Sequence, residues 1–259
     1  MTGGDLAEAR AALRARQGAG ARYDAPNAPA TELAWARAGT AFFARALDGL
    51  TDRDLAGPSR LPGWSRAALV AHVGYNARAL TRLCEWSRTG VERPMYASAD
   101  QRAREIALGA SLPARALRSL FAHSETHLDV EWRDLPDAAW DAEVVTAQGR
   151  TVPARETAWM RTREVWVHAV DLGGGARFAD LPPDLLDRLA DDVLAAWRRR
   201  GEAAPPALVP TDRAARPGGD GGVGPAVSGR MSDLVRWLTG RGARRLDVAG
   251  PLPDLPRWL

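Results

Sequence analysis

Apolar residues recur at helical spacing over most of the first two-thirds of the chain. Across residues 31–50, Leu33, Ala36, Phe43 and Leu47 fall on one face, and Thr40 is the one polar residue in that row. A second helix is expected from Ser65, a side chain suited to N-capping, to about Thr89, where Gly90 stops it. Its inward face reads Leu69, His72, Val73, Asn76, Leu80 and Leu83. A third helix follows Pro113, carries Leu117, Leu120, Phe121, Leu128 and Trp132, and ends near Asp134. The period then changes: residues 141–152 alternate apolar and polar around Gln148 and Gly149, the pattern of a hairpin. Residues 157–172 return to a helix. The stretch from Glu164 to His168 alternates like a strand, but nothing between Pro153 and Gly173 breaks a helix, and that span is too long for a strand. Three glycines, 173–175, end it.

Beyond residue 175 the elements become shorter and mixed. A helix is expected from Pro182 to about Arg200, followed by a Pro- and Gly-rich stretch over 201–225 with an apolar island at 207–209. Short strands are expected at that island, at 226–228 and at 246–248, with an amphipathic helix over 232–240. The chain therefore reads as α+β in three parts. Residues 1–30 form a flexible extension, 31–175 a helical bundle, and 176–259 a small α/β unit.

A chain of 259 residues with 46% hydrophobic content can build a sizeable core. No apolar run approaches the roughly 20 residues that span a bilayer, and the N-terminus lacks the apolar segment of a secretory signal. A cytoplasmic protein is expected. All 35 basic residues are arginine and leave a net charge of +3. They are interspersed with acids, which reads as a salt-bridged surface rather than a nucleic-acid stripe. Cys84 is the single cysteine, so an intrachain disulfide is excluded, and its apolar helical surroundings read as a packed small side chain. No P-loop, GxGxxG or internal repeat is present.

Chemistry enters through the helix over 157–172. Glu164 and His168 lie four residues apart, on one helical face, among Trp159, Val165, Trp166, Val167 and Val170. A carboxylate in apolar surroundings requires a cation, a proton or a metal, because leaving it unpaired costs several kcal/mol. His72 lies on the inward face of another helix of the bundle. Two imidazole nitrogens and one carboxylate suit zinc, and three protein ligands leave a position open, as in catalytic sites. The same residues also fit a buried Glu164–His168 ion pair, or a Glu164 pair with Arg161 or Arg163, and the residues alone leave this open. A competing face carries His123, His127 and Glu131. Its neighbours Ser124, Glu125, Thr126 and Asp129 are polar, which points to a solvated surface.

Four stretches carry a resemblance. They are LPGWSRAALVAHVGYNARAL (61–80), TAQGRTVPARETAWMRTREVWVHAVDL (146–172), WLTGR closing at Arg241, and the terminal PRWL. Together they resemble the mycothiol-dependent maleylpyruvate isomerase family, within the wider DinB-like thiol-dependent metalloenzymes. The resemblance covers the chain from about residue 31 onward. It implies a DinB-like four-helix bundle followed by an α/β domain similar to sterol-carrier folds. It implies zinc on His72, Glu164 and His168, mycothiol as the thiol cofactor, and Arg241 as a catalytic arginine. The implied activity converts maleylpyruvate to fumarylpyruvate in gentisate-type aromatic breakdown. In that chemistry a thiolate adds to the cis double bond, Arg241 stabilises the resulting enolate, and the thiol leaves after rotation. Cys84, off the ligand face of its helix, is not the nucleophile. The implied partners are a small-molecule substrate and a low-molecular-weight thiol, with no nucleic acid and no membrane. Two other activities fit the same ligands: a mycothiol S-transferase acting on other electrophiles, and a non-enzymatic zinc-binding regulator.

Overall fold

The computed structural model describes residues 8–9, 11–12, 23–202, 206–214, 217 and 225–258. The chain divides into two compact units, Met1–Gly175 and Ala176–Leu259. The helices of the first unit are α1 (Ala30–Asp48), α2 (Asp52–Leu55), α3 (Arg66–Thr89), α4 (Ala99–Ala110), α5 (Ala114–Asp134) and α6 (Glu156–Asp171). α1 packs on α6, α6 on α3, and α3 on α5. The rings of Phe43 and Phe121, 4.9 Å apart, join α1 to α5 and close a four-helix bundle.

Local chemistry sets the ends of these helices. The Ser65 hydroxyl accepts from the Ala68 N–H and starts α3, and Gly90 ends it with a φ of 72°. Leu33, Phe43, Leu69, Leu80, Leu83 and Leu128 are fully buried, as the apolar spacing predicts. Each such side chain contributes roughly 1.5–3 kcal/mol by leaving water. Gly39 sets how closely α1 approaches α6. A Cβ there would stand 2.5 Å from both Trp166 Nε1 and Val165 Cγ2.

Two polar residues on otherwise apolar faces, Thr40 and Asn76, belong to one buried network. Arg161 of α6, with no exposed surface, donates through Nη1 to the Val73 carbonyl at 2.9 Å and to Asn76 Oδ1 at 2.7 Å. Its other terminal nitrogen pairs with Glu125 of α5. The second Glu125 oxygen accepts from the Thr40 hydroxyl at 3.0 Å. The network therefore ties all four bundle helices together. It also corrects the reading of α5. Ser124 is fully buried, and Glu125 faces the interior rather than solvent. Polar type alone does not reveal that a partner waits on another helix.

β1 (Glu143–Val145) and β2 (Thr151–Pro153) form the expected hairpin, with Val144 opposite Val152 and Gly149 turning at a φ of 74°. Helix α4 has no counterpart in the sequence reading. Only Ile106 and Gly109 are buried along it, too few to show a period. Gly109 presses on α3: a Cβ there would stand 2.7 Å from Ala71 Cβ and 2.8 Å from Tyr75 Cε2. Of the extension expected to be flexible, residues 1–7, 10 and 13–22 lie outside the described residues. Residues 23–29 are tied to the bundle, with Asp24 paired to Arg37 at 2.7 Å and Asn27 bonded to Asp141 at 2.7 Å.

The second unit contains α7 (Pro183–Arg199), β3 (Leu208–Pro210), β4 (Val227–Gly229), α8 (Met231–Leu238) and β5 (Asp247–Val248). β4 is the central strand, parallel to β3 and antiparallel to β5. α7 and α8 pack on each other through leucine-rich faces. The tail is fastened to α7: Trp258 Nε1 donates to Asp192 Oδ2 at 3.1 Å, and Arg200 Nη1 to the Trp258 carbonyl at 2.9 Å. The whole is α+β, with a helical N-terminal domain. Among the described residues, no helix is long and apolar enough to cross a membrane.

Candidate metal centre

α3 and α6 present the three expected residues to one point. Glu164 Oε2 lies 3.0 Å from His72 Nε2 and 3.2 Å from His168 Nε2. The two imidazoles stand edge to face, 5.2 Å between centroids. One ligand atom from each residue falls within 4.8 Å of the others. Among the described residues this is the one group of three or more metal-capable side chains. Helical spacing accounts for Glu164 and His168; the packing of α3 on α6 supplies His72. The Arg161 alternative for Glu164 does not form, because that guanidinium is engaged by Asn76, Val73 and Glu125.

Three further residues adjoin the centre. His168 Nδ1 lies 2.9 Å from Asp171 Oδ2, a fully buried carboxylate one turn on. The Trp64 ring, delivered by the turn before α3, stands edge-on to His72 at 5.7 Å. Arg102 of α4 places Nη2 3.4 Å from His72 Nδ1. None of these was singled out from sequence. Asp171 carried a usable signal, since it follows His168 at i+3. Arg102 carried none, because the helix bearing it shows no apolar period.

The electrostatics divide the two histidines. Burial pushes His72 below its ordinary value, against the pull of Glu164. Burial also works against His168, but the hydrogen bonds with Asp171 and Glu164 raise it to about 9. Burial alone would raise the Glu164 carboxyl, yet His72 and His168 hold it well below the usual carboxylate range. At neutral pH the metal-free centre is thus a neutral His72, a carboxylate and an imidazolium. Replacing that one proton by a divalent cation leaves two neutral imidazoles and a carboxylate. With Asp171 behind His168, these donors fit zinc with a position left open.

The remaining sequence candidates separate clearly. His123 and His127 are exposed, and the His127–Glu131 contact at 3.6 Å is a surface pair. Cys84 is fully buried, and burial pushes its thiol up to about 12, consistent with packing rather than nucleophilic chemistry. Arg241 lies in the second unit, just after α8. Its turn is fixed by Gly240 at a φ of 78°, by its own N–H on the Arg236 carbonyl at 2.9 Å, and by its Nη1 on the Thr239 carbonyl at 2.5 Å.

The comparisons agree with this architecture. No curated protein matches the chain. The family model described as the mycothiol maleylpyruvate isomerase N-terminal domain matches residues 36–173, the span that holds all three candidate ligands. A crystal structure of the mycothiol-dependent maleylpyruvate isomerase is similar at 43% identity and a TM-score of 0.83, covering 88% of this chain and 96% of that one. A histidine-to-alanine mutant of mycothiol-dependent maleylpyruvate isomerase gives the same identity, coverage and TM-score. With a family model covering more than half of its length and a solved relative at that identity, this chain belongs to the mycothiol maleylpyruvate isomerase family.

Proposed function

We propose that the protein is a zinc- and mycothiol-dependent cis–trans isomerase that converts maleylpyruvate to fumarylpyruvate in the cytoplasm. The observation that carries this reading is the convergence of His72, Glu164 and His168 within 4.8 Å, in a chain of this family. In this reading the bundle holds the metal and Arg241 is a catalytic residue. When bound, zinc supplies the positive charge that keeps a thiol ionised near neutral pH.

The chain's own residues do the rest. His72 and His168 offer Nε2, Glu164 offers a carboxylate oxygen, and Asp171 holds the His168 ring in the orientation that leaves Nε2 free to ligate. Arg241 supplies a planar, bidentate cation suited to a carboxylate or an enolate oxygen. The reaction breaks and re-forms the substrate double bond with no net redox change, so the thiol returns unaltered and acts as a cofactor.

The test is an isomerisation assay that follows the ultraviolet absorbance of maleylpyruvate. Turnover is expected with mycothiol and is expected to vanish without it or after chelation. Turnover of other electrophiles with no isomerisation would favour an S-transferase, and no thiol-dependent turnover at all would favour a regulator. Arg241→Ala is expected to retain about one zinc per chain and lose turnover; an unchanged rate would remove Arg241 from the mechanism.

A further inference from the structure

The last carbonyls of a helix have no partner within it. At the end of α6 two of them are met by the chain that leads into α3. The Arg60 N–H donates to the Asp171 carbonyl at 2.7 Å, and Arg66 Nε donates to the Leu172 carbonyl at 2.7 Å. Arg66 also reaches the Asp54 carbonyl of α2 through Nη1, at 3.0 Å. Glycines make room for this guanidinium on two sides. A Cβ at Gly57 would stand 3.0 Å from Nη1, and one at Gly173 would stand 3.4 Å from Nη2.

Residues 57–66 form a closed turn. Pro58 and Ser65 make an antiparallel bridge, the Ser59 N–H donates to the Trp64 carbonyl at 2.8 Å, and the Arg66 N–H donates to the Gly57 carbonyl at 2.9 Å. A turn tied at this many points holds its one aromatic ring in place. That ring, Trp64, stands at 72° to the His72 imidazole with 5.7 Å between centroids.

One turn thus reaches both candidate imidazoles. Trp64 packs against His72 on α3. The Arg60 and Arg66 bonds fix the Asp171–Leu172 backbone, and the Asp171 carboxylate lies 2.9 Å from His168 Nδ1. The Leu172 N–H closes on the His168 carbonyl at 3.0 Å, so the same backbone is the last helical turn of His168 itself.

We propose that residues 57–66 are a brace for the metal centre, with Trp64 and Arg66 as positioning residues that set the two imidazoles for one ion. This rests on His72, Glu164 and His168 being the metal ligands. Neither positioning residue touches the ion. They order two rings on two helices before the ion arrives, so that binding does not bear that cost. Without the brace the end of α6 is free to fray, and His168 and Asp171 lie in that turn.

The experiment sets Arg66→Met against Arg118→Met. Arg118 is the matched control, because it bonds in the same way to a helix end that bears no ligand. Its Nη1 donates to the Leu47 carbonyl at 2.8 Å and its Nη2 to the Leu50 carbonyl at 2.6 Å, where α1 ends. Competition with a chelator reads zinc affinity, the visible spectrum of the cobalt(II) protein reads coordination geometry, and urea unfolding of the metal-free protein reads stability. Both variants are expected to unfold at lower urea. Only Arg66→Met is expected to lose about tenfold in zinc affinity and to alter the cobalt spectrum. Trp64→Ala is expected to show the same two changes, and Trp64→Phe, which keeps an aromatic ring against His72, to recover most of the affinity. The Trp64 pair decides alone if Arg66→Met does not fold. Wild-type affinity and spectrum in either Arg66→Met or Trp64→Ala, or an equal loss of affinity in Arg118→Met, would overturn the brace. Wild-type protein that takes up no stoichiometric zinc would instead overturn the metal centre, and the brace with it. No readout needs turnover, so the result is independent of the isomerisation assay.

Discussion

Helix α6 carries two charged clusters one turn apart, and they solve opposite problems. Arg161 points into the bundle and meets Asn76, the Val73 carbonyl and Glu125, so its charge is balanced by the protein itself. Glu164 points to two histidines that retain 8% and 13% side-chain exposure, and its own exposure is 18%. That cluster is balanced by a proton, which a metal can displace. The first cluster belongs to folding and the second to binding. A buried charge alone therefore says little about function; what separates the two is whether its partner can be exchanged.

The sharpest way to break that contrast is to remove one member of each cluster. His168→Ala is expected to abolish stoichiometric zinc while the metal-free protein still unfolds cooperatively; metal analysis beside a denaturant titration checks both. Full zinc in that variant would sink the ligand assignment. Arg161→Met is expected to do the reverse, costing about 3–5 kcal/mol of stability by leaving the Glu125 carboxylate buried without its cation. Adding Glu125→Leu should recover much of that loss, since replacing both members of a buried pair by apolar groups is often close to neutral. A single mutant as stable as wild type would show that the network carries no weight in folding.

Asp171→Asn sharpens the distinction within the second cluster. It exchanges the charged carboxylate that orients His168 for a neutral amide, and the expected loss is about 10–100-fold in zinc affinity with the ligands intact, read by competition with a chelator.

The last test is of pH. His168 is raised from 6.5 to about 9 in the folded, metal-free protein. Its ion pair with Glu164 therefore contributes fully below pH 6.5 and is lost as pH climbs through 9. Zinc must displace that proton, so its affinity should rise over the same range. Denaturation of chelated protein and zinc titration, each at both ends of this window, should move in opposite directions. Parallel trends would show that His168 does not carry the displaced proton.

Much of this was legible in the chain. The apolar rows of α1, α3 and α5 reported their own burial, Ser65 and Gly90 marked helix ends, and Glu164 with His168 were visible as a pair because helical geometry alone puts i and i+4 together. The four resembling stretches supplied the zinc, the thiol and Arg241, which spacing cannot. Other features stayed hidden for a physical reason. Thr40, Asn76, Ser124 and Glu125 each look like an isolated polar residue, and only the packing of four helices makes three of them partners of one network and buries Ser124 beside it. Helix α4 buries so little that no period betrays it, yet Gly109 seats it and sets Arg102 against His72. Sequence determined which residues could share a face, because that depends on neighbours along the chain. Tertiary structure decided which charges meet, because that depends on residues roughly 30 to 90 positions away brought within hydrogen-bond reach.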